Sequence, residues 1–304
     1  MIFLGIDGGG TKTAITAVEN GKRVSSAVVG PMNYNFRSFR ECADDVISGI
    51  KAMGIPAGSV AAIGIGDPSI SDDTRDADDN MFCACLRESL ASPVYARSDA
   101  YMTLYGMKNA GCPGTLVISG TGAMAVAENS SGEIKTAGGW GRLTGDEGGG
   151  YYIALKGIKS ALRAFDGIAE DTSLLESVTR YYDVKDTRDL IGVFYGEKEP
   201  DIAGFAVEVA RQADLGDKTA CEIIRSAAWY LASYAIKLAE WSHSGFIGVY
   251  GGVITGNAML RSEFERLIHE KLPYISITEP FVKPEHAAAV YAENKYYSMK
   301  GETI

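Results

Sequence analysis

Short apolar stretches separated by turn residues dominate the first thirty residues of the chain. Residues 2–6 are apolar apart from one glycine and lead into consecutive glycines at 8–10. Residues 13–19 are rich in β-branched side chains and alternate roughly with a period of two, which is typical of a strand. Asn-Gly at 20–21 is a strong signal for a two-residue hairpin turn, and a third apolar stretch follows at 24–29. The pattern predicts three successive strands with a glycine-rich loop between the first two.

The same plan recurs near the middle of the chain. Residues 115–137 predict a strand, a glycine-rich tip at 120–122, a returning strand, a turn at 131–132 and a third strand. When residues 6–8 are aligned with 118–120, the later turns of the two segments fall into register within one residue. The chain is therefore predicted to contain a duplicated unit, one copy in each of two lobes.

A third glycine cluster lies late in the chain, within residues 246–256. It predicts a strand that delivers Gly251 and Gly252 to a bend, followed by a helix from about residue 258 to 271. Chance similarity between hairpins is the alternative to duplication, because hairpins are common. The recurring order of hairpin and helix favours duplication, and two glycine tips with one glycine bend suggest a nucleotide held between the lobes.

Apolar residues at helical spacing separate these glycine-rich segments. The last helix is expected to return to the first lobe, and short crossings near residues 112–114 and 280–284 are expected to join the lobes. A break near residues 215–217 is expected to divide the longest helical tract. The predicted helices lie at residues 36–53, 78–90, 99–109, 151–165, 174–182, 203–241 and 285–297.

Composition supports a folded protein of two domains. The 304 residues are 46% hydrophobic and 22% charged, which is ordinary for a globular protein, and the length suits two lobes of ~150 residues each. The net charge of −10 repels a polyanion, so nucleic acid is not expected as a partner. A small phosphate ligand remains compatible with this charge, because backbone N–H groups, one lysine and a metal ion can hold it locally.

Cysteine usage and the amino terminus bear on location. The five cysteines are an odd number without framework spacing, which favours reduced thiols and a cytoplasmic protein. The first residues lack a basic segment and soon reach Asp7, and no run of 18 apolar residues occurs. We therefore expect no signal peptide and no membrane partner.

The first glycine loop matches neither of two common phosphate-binding motifs. A Walker A loop would need lysine directly after Gly10, where Thr11 stands, and the dinucleotide fingerprint would need glycine at Thr13. Both motifs also run into a helix, whereas here a strand follows. The loop is therefore predicted to bind an anion through N–H groups at the tip of a hairpin. Asp7, just before the loop, is a candidate metal ligand. A glycine-rich turn without a ligand is the alternative, although adjacent glycines cost roughly 0.5–1 kcal/mol each relative to alanine.

The densest chemistry lies at residues 138–152, where glycines surround Trp140 and the adjacent Asp146 and Glu147. Carboxylates accept paired hydrogen bonds from sugar hydroxyls, and glycines let the backbone approach a small rigid ring. If the loop bound no ligand, an exposed tryptophan would have no evident function, because exposed apolar surface often marks a binding site. These residues predict a sugar site, with a helix starting directly after it.

The motifs "GIDGGGTKT", "ISGTG", "GGWGRLTGDEGGGYYIA" and "VYGGVITGN" occur in this order along the chain. In order and spacing the chain resembles the N-acetylglucosamine kinases and the wider BadF/BadG/BcrA/BcrD ATPase family, within the superfamily of acetate and sugar kinases, heat-shock chaperones and actin. The resemblance spans the whole chain. The pair "GGWG" and "GDEG" is its most specific part.

The resemblance implies an α/β fold of two ribonuclease H-like lobes, the actin-like ATPase fold, with mixed sheets flanked by helices and ATP in the cleft between the lobes. The N-terminal lobe would comprise residues 1–112 and 285–304, and the C-terminal lobe residues 113–284. The implied function is an ATP- and Mg²⁺-dependent kinase that phosphorylates an amino sugar, at its 6-hydroxyl by analogy. Relatives of this kind are typically homodimers.

The resemblance also implies roles by position. Asp7 corresponds to the magnesium-organising carboxylate and Asp99 to the catalytic carboxylate. The nucleotide-binding positions are Gly8, Gly9, Gly10, Thr11 and Lys12 in the first phosphate loop, Gly120, Thr121 and Gly122 in the second, and Gly251 and Gly252 in the adenosine motif. The amino-sugar positions are Asn33, Gly139, Trp140, Gly141 and Asp146.

Some of these residues also permit structural interpretations. Asp99 precedes a predicted helix and could be its N-cap. Of the adjacent carboxylates we favour Asp146 for the ligand, while Glu147 could stabilise the N-terminus of the following helix. Lys12 at a loop tip could contact a phosphate or simply be solvated.

Other functions remain open at this stage. The acceptor could be N-acetylglucosamine, glucosamine or N-acetylmuramic acid, and Gly66 lies where vertebrate relatives contact the sugar through a serine hydroxyl. The same broad family includes ATPases that activate 2-hydroxyacyl-CoA dehydratases through an iron–sulfur cluster, which needs thiolates at a shared surface. Cys83 and Cys85 are the closely spaced pair. A non-catalytic sensor is a third possibility.

Overall fold

The computed structural model describes most of the chain. The described residues are 1–9, 12–32, 34, 36–70, 72, 81–107, 113–197 and 200–301. Three predicted site residues lie outside them, namely Gly10, Thr11 and Asn33.

Two compact units make up the fold. The first comprises Met1–Gly114, Ala127–Lys135 and Glu279–Ile304, and the second comprises Thr115–Val126 and Thr136–Thr278. The domain boundaries implied by the resemblance remain a prediction.

A mixed five-stranded sheet organises the first unit. Its strands are β1 (Ile2–Gly8), β2 (Thr13–Glu19), β3 (Lys22–Val29), β4 (Val60–Gly66) and β5 (Val94–Arg97), in the order β3-β2-β1-β4-β5. Strand β1 is antiparallel to β2 and parallel to β4, and β4 is parallel to β5. The predicted meander is confirmed, including the glycine loop that joins two antiparallel strands.

A second five-stranded sheet, most of whose residues belong to the second unit, repeats this strand order. Its strands are β6 (Gly114–Ser119), β7 (Ala123–Glu128), β8 (Ile134–Gly138), β9 (Phe246–Tyr250) and β10 (Ser276–Thr278), in the order β10-β9-β6-β7-β8. From the opposite edge this is third, second, first, fourth and fifth, as in the first sheet. Strand β9 is parallel to both β6 and β10. The shared strand order confirms the predicted duplication.

The helices agree closely with the sequence pattern. The long tract breaks as predicted, since Asp217 caps a new helix by accepting a hydrogen bond from the Ala220 N–H at 2.9 Å. The α-helices are α1 (Phe39–Ala52), α2 (Met81–Leu90), α3 (Asp99–Tyr105), α4 (Gly150–Phe165), α5 (Leu174–Tyr181), α6 (Leu190–Phe194), α7 (Ala206–Asp214), α8 (Lys218–Ser242), α9 (Gly252–Gly256), α10 (Ala258–Lys271) and α11 (Pro284–Lys300). Among the described residues, no helix is both long and apolar enough to cross a membrane.

Helix α11 returns to the first sheet, as predicted. A Cβ on Gly5 of β1 would overlap the carbonyl oxygen of Glu285, and one on Gly64 of β4 would overlap that of Ala288. Glycine in both strands therefore lets the helix backbone pack directly on the sheet. On these strands, large aliphatic side chains such as Leu4, Ile6 and Ile63 are fully buried.

Candidate active site

The carboxyl ends of three parallel strands meet at one edge of the first sheet. Asp7 near the end of β1 pairs in register with Gly66 of β4, which pairs with Arg97 of β5. Asp67 follows β4 directly, and Asp99 lies two residues beyond β5. Because ligands bind outside the carboxyl ends of parallel strands, this edge is a natural position for a site.

Asp99 is the first residue of α3, and the N-cap of this helix is Ser98. The Ser98 hydroxyl accepts a hydrogen bond from the Tyr101 N–H at 2.9 Å. The interpretation of Asp99 as the N-cap is therefore wrong. Burial raises the pKa of the Asp99 carboxyl, a hydrogen bond from the Ala100 N–H opposes the rise, and the charge of Asp67 adds to it.

Asp7 has the most strongly perturbed carboxyl of this group. Burial, followed by the charges of Asp99 and Glu285, raises its pKa to about 7, while Lys12 opposes the rise. A cation would relieve this crowding of negative charge. The described residues contain no cluster of three or more histidine, cysteine or acidic side chains that could hold a metal. A magnesium ion still fits, because it is commonly held by one or two carboxylates together with water and substrate phosphates.

The first glycine loop is closely packed at its base. The Gly9 N–H donates to the Lys12 carbonyl at 3.0 Å, and the Met32 N–H donates to the Gly9 carbonyl at 3.1 Å. A Cβ on Gly8 would meet the sulfur of Met32 at 2.5 Å. Lys12 is exposed. The structure therefore brings Gly8, Gly9 and Lys12 together at the end of β1.

The second glycine loop is joined to the start of α4. The Gly150 N–H donates to the Gly120 carbonyl at 2.8 Å, and the Tyr151 N–H donates to the Thr121 carbonyl at 3.0 Å. A Cβ on Gly149 would lie 2.6 Å from the Gly122 carbonyl carbon. Carbonyl groups of the loop therefore satisfy the first N–H groups of this helix.

Gly251 packs against the same loop. Its φ of +105° is a conformation that side chains disfavour, and a Cβ there would overlap the Ser119 carbonyl oxygen. Gly252 starts α9, and a Cβ on it would meet nothing within 4 Å. The glycine bend and the second phosphate loop thus form one continuous backbone surface.

Replacing Gly251 with alanine is expected to lower both stability and ATP affinity. The positive φ alone costs of order 1–3 kcal/mol, and the overlap with Ser119 displaces the loop. We expect a weakening of ATP binding by roughly tenfold, about 1.4 kcal/mol, measured by calorimetric titration alongside thermal unfolding. Gly256→Ala is the matched control, because a Cβ there meets nothing within 4 Å. Equal ATP affinities for the two variants would contradict the predicted role of Gly251 in nucleotide binding.

Unusual backbone conformations shape the loop between β8 and α4. Positive φ angles occur at Gly138, Gly139, Gly141, Asp146 and Gly148. Glycine adopts this conformation without strain, whereas Asp146 does so as one of the few tolerated side chains. Trp140 is 78% exposed. The loop therefore has a fixed backbone and presents an aromatic face to solvent.

Asp146 connects this loop to the second glycine loop. Its Oδ1 accepts a hydrogen bond from the Gly141 N–H at 3.1 Å, and a Cβ on Gly122 would meet its Oδ2 at 2.5 Å. Burial, opposed by the bond from Gly141, raises the pKa of the Asp146 carboxyl. Predicted sugar and phosphate positions of the second unit are thus in direct contact.

Glu147 has a hydrogen-bond partner that the sequence did not predict. Its Oε2 accepts a hydrogen bond from the Tyr234 hydroxyl at 2.7 Å, and a Cβ on Gly138 would lie 3.0 Å from the Tyr234 ring. The N-cap of α4 is Gly149, which makes no side-chain cap hydrogen bond. Stabilisation of this helix N-terminus by the charge of Glu147 stays a prediction, while Tyr234 contacts both ends of the loop.

Sequence reasoning did not single out Tyr234, Tyr34 or Asp67 as site residues. Tyr234 lies in the middle of α8, where an aromatic residue looks like ordinary core. Asp67 offered one signal, since an acidic residue directly after a buried strand marks the edge where ligands bind.

The closely spaced cysteines Cys83 and Cys85 are not placed at the surface, where a shared iron–sulfur cluster would need them. Cys83 and Cys85 are both buried in α2 and belong to the apolar core of the first unit.

Comparison with protein families decides the classification. The model of the BadF/BadG/BcrA/BcrD ATPase family matches residues 4–292. The chain belongs to this family. The match includes both glycine hairpins, the loop at 138–149 and the bend at Gly251.

Among curated members and relatives, two kinases match nearly the whole chain. An N-acetylmuramic acid/N-acetylglucosamine kinase of Clostridium acetobutylicum is 29% identical over 90% of this chain and 92% of its own length. An N-acetyl-D-glucosamine kinase of Dictyostelium discoideum is 29% identical over 96% of this chain and 98% of its own. A crystal structure of a candidate N-acetylglucosamine kinase from Chromobacterium violaceum has a TM-score of 0.74 and 24% identity, covering 95% and 98% of the two chains. The structural match confirms the predicted fold class.

Proposed function

We propose that this BadF-family protein is an ATP-dependent kinase that transfers a phosphoryl group to a hydroxyl of an amino sugar, the 6-hydroxyl of N-acetylglucosamine by preference. The contact between Asp146 and Gly122 carries the proposal, because it joins a loop suited to a sugar with a loop suited to phosphates. The two curated relatives named for amino sugar phosphorylation support the same conclusion. Glucosamine and N-acetylmuramic acid are the alternative acceptors.

In the first unit, Asp99 is proposed to accept the proton of the attacking sugar hydroxyl. Its raised pKa brings it closer to neutral pH, where a general base is more effective. Asp7 would hold Mg²⁺, which when bound neutralises charge on the phosphates. Gly8–Lys12 would supply N–H donors to the phosphates, with Lys12 as a further contact.

In the second unit, Gly120–Gly122 would bind phosphate oxygens, and Gly251 and Gly252 would lie against the adenosine. The residues proposed to contact the sugar are Asn33, Gly139, Trp140, Gly141 and Asp146. Trp140 offers an apolar face for a sugar ring, while Asp146 can accept hydrogen bonds from its hydroxyls. A cytoplasmic homodimer remains our prediction.

A coupled assay of ADP release with a panel of amino sugars tests this function. We expect release that depends on N-acetylglucosamine, with product identified by mass spectrometry, and slow hydrolysis of ATP without sugar, because a closed site excludes competing water. Glucosamine and N-acetylmuramic acid distinguish the alternative acceptors. Rapid hydrolysis that no sugar stimulates would contradict the proposal and favour an ATPase of the dehydratase-activating type.

A further inference from the structure

Asp67 is a fully buried carboxylate that accepts three hydrogen bonds. Its exposed fraction is 0%. Oδ1 accepts from the Ser69 N–H at 2.8 Å and from the Ser69 hydroxyl at 2.7 Å, and Oδ2 accepts from the Tyr34 hydroxyl at 2.8 Å. All three donors are neutral, so these bonds satisfy the carboxylate without cancelling its charge. Burying a charged group costs free energy, so packing alone does not explain why Asp67 lies in the interior.

The Tyr34 bond joins two separate parts of the first unit. Tyr34 follows β3, and its ring packs 4.5 Å from Phe39 of α1 and 6.2 Å from Phe82 of α2, measured between ring centroids. Asp67 follows β4, 33 residues later in the chain. The hydroxyl of an anchored ring therefore fixes the position of the chain directly after β4.

This segment lies against Asp99. The Asp67 N–H donates to the Arg97 carbonyl at 2.9 Å, and Arg97 precedes Asp99 by two residues. A Cβ on Gly66 would lie 3.2 Å from the Asp99 Cα. A shift of Asp67 would consequently move the backbone that carries Asp99.

We propose that Asp67, held by Tyr34 and Ser69, is a positioning residue that fixes Asp99 for proton transfer. The inference rests on the proposed kinase function. Asp67 itself does not touch the substrate, because it is fully buried. The bridge acts through backbone placement, since a displacement of about 1 Å in a reacting group can cost roughly a hundredfold in rate.

The test is a double-mutant cycle on kcat, using the full chain with ATP and the best acceptor sugar. Asp67→Ala is expected to lower kcat by 10- to 100-fold, with KM for ATP and sugar changed less than threefold. In the Asp99→Asn background the same substitution should change kcat less than twofold, because no base remains to be positioned. Tyr34→Phe keeps the ring and removes the hydrogen bond to Asp67, and is expected to lower kcat by about fivefold. In the Asp99→Asn background, Tyr34→Phe should likewise have little effect on kcat.

Asp67→Asn is the conservative rescue. Its amide oxygen can accept from Ser69 while its amide N–H donates to the Tyr34 oxygen, so most of kcat should return. Asp201→Ala and Tyr181→Phe make the same chemical changes at an exposed tyrosine–aspartate pair in the second unit and serve as controls. There the Tyr181 hydroxyl donates to one Asp201 oxygen at 3.2 Å and the Gly204 N–H donates to the other at 2.9 Å. Both controls should leave kcat within twofold.

The outcomes separate this inference from the function on which it rests. If the wild-type protein phosphorylates an amino sugar but Asp67→Ala and Tyr34→Phe lower only the melting temperature, Asp67 is structural and the inference is overturned. Equal losses of kcat with and without Asp99 would overturn it as well. Failure of the wild-type protein to phosphorylate any amino sugar would overturn the proposed function, and the inference with it. Should Asp67→Ala not fold, Tyr34→Phe decides the matter alone.

Discussion

Asp99→Asn is expected to lower kcat by ~10²–10⁴-fold, about 3–5 kcal/mol in activation free energy, because asparagine cannot accept the proton of the sugar hydroxyl. The amide oxygen can still accept the hydrogen bond from the Ala100 N–H. Sugar affinity should therefore stay within a few-fold. Steady-state kinetics together with calorimetric titration of the sugar measures both quantities.

Ser98→Ala provides the control for a purely structural role of this segment. Ser98 is the N-cap of α3, so its loss should cost about 1 kcal/mol in the free energy of unfolding. Asp99→Asn removes no cap and should leave the protein at least as stable as wild type. An Asp99→Asn variant that retains most of kcat would show that another group accepts the proton.

Asp7→Asn is expected to stabilise the protein at pH 8 in the absence of divalent cations while abolishing kinase activity. The pKa of Asp7 rises from 3.8 to about 7 on folding, so the folded state binds more protons between these values. Wild-type stability therefore falls as pH rises from about 4 to about 7. Asparagine does not ionise, so the variant does not lose this stability. Its free energy of unfolding should exceed that of wild type by up to about 4 kcal/mol above pH 7.

Chemical denaturation at pH 4 and pH 8, with a chelator present, measures this difference. The gain should be small at pH 4 and reach its full size at pH 8. Asp217→Asn is the control, and we expect it to lower rather than raise the free energy of unfolding. Burial alone would raise the pKa of Asp217, but hydrogen bonds from Ala220, Ser173 and Thr172 lower it overall. That variant should be less stable than wild type by a similar amount at pH 8 and at pH 4, because the contribution of a carboxylate with a lowered pKa is lost only as the pH falls below about 4. A gain for Asp7→Asn that does not depend on pH would contradict the proposed electrostatic cause.

Local patterns were sufficient to predict much of the fold. The Asn20-Gly21 turn has positive φ at both residues, as a two-residue hairpin of this kind requires. The break between α7 and α8 follows from Gly216 and the capping side chain of Asp217. Strands β4 and β5 carried no such signal. The Val-Ala-Ala-Ile-Gly-Ile-Gly run of β4 is nearly all buried, so it lacks the alternation that distinguishes a strand from a helix.

The candidate site also contains some residues that the sequence could predict and some that it could not. Asp7, Asp99, Asp146 and the glycine loops belong to motifs whose residues are close in sequence, and the structure places several of them together. The bonds of Tyr34 to Asp67 and of Tyr234 to Glu147 join residues 33 and 87 positions apart. Nothing local in the chain encodes such pairs, because they depend on how strands and helices pack.

The positive φ angles of the loop between β8 and α4 have a practical consequence for protein engineering. Positions 138, 139, 141 and 148 tolerate little but glycine, so random mutagenesis there would mostly yield unfolded or inactive clones. Arg142, Leu143 and Thr144 are exposed on the same loop. Under the proposed function, a focused library at these three codons, with the glycines left unchanged, is expected to alter the choice of acceptor sugar.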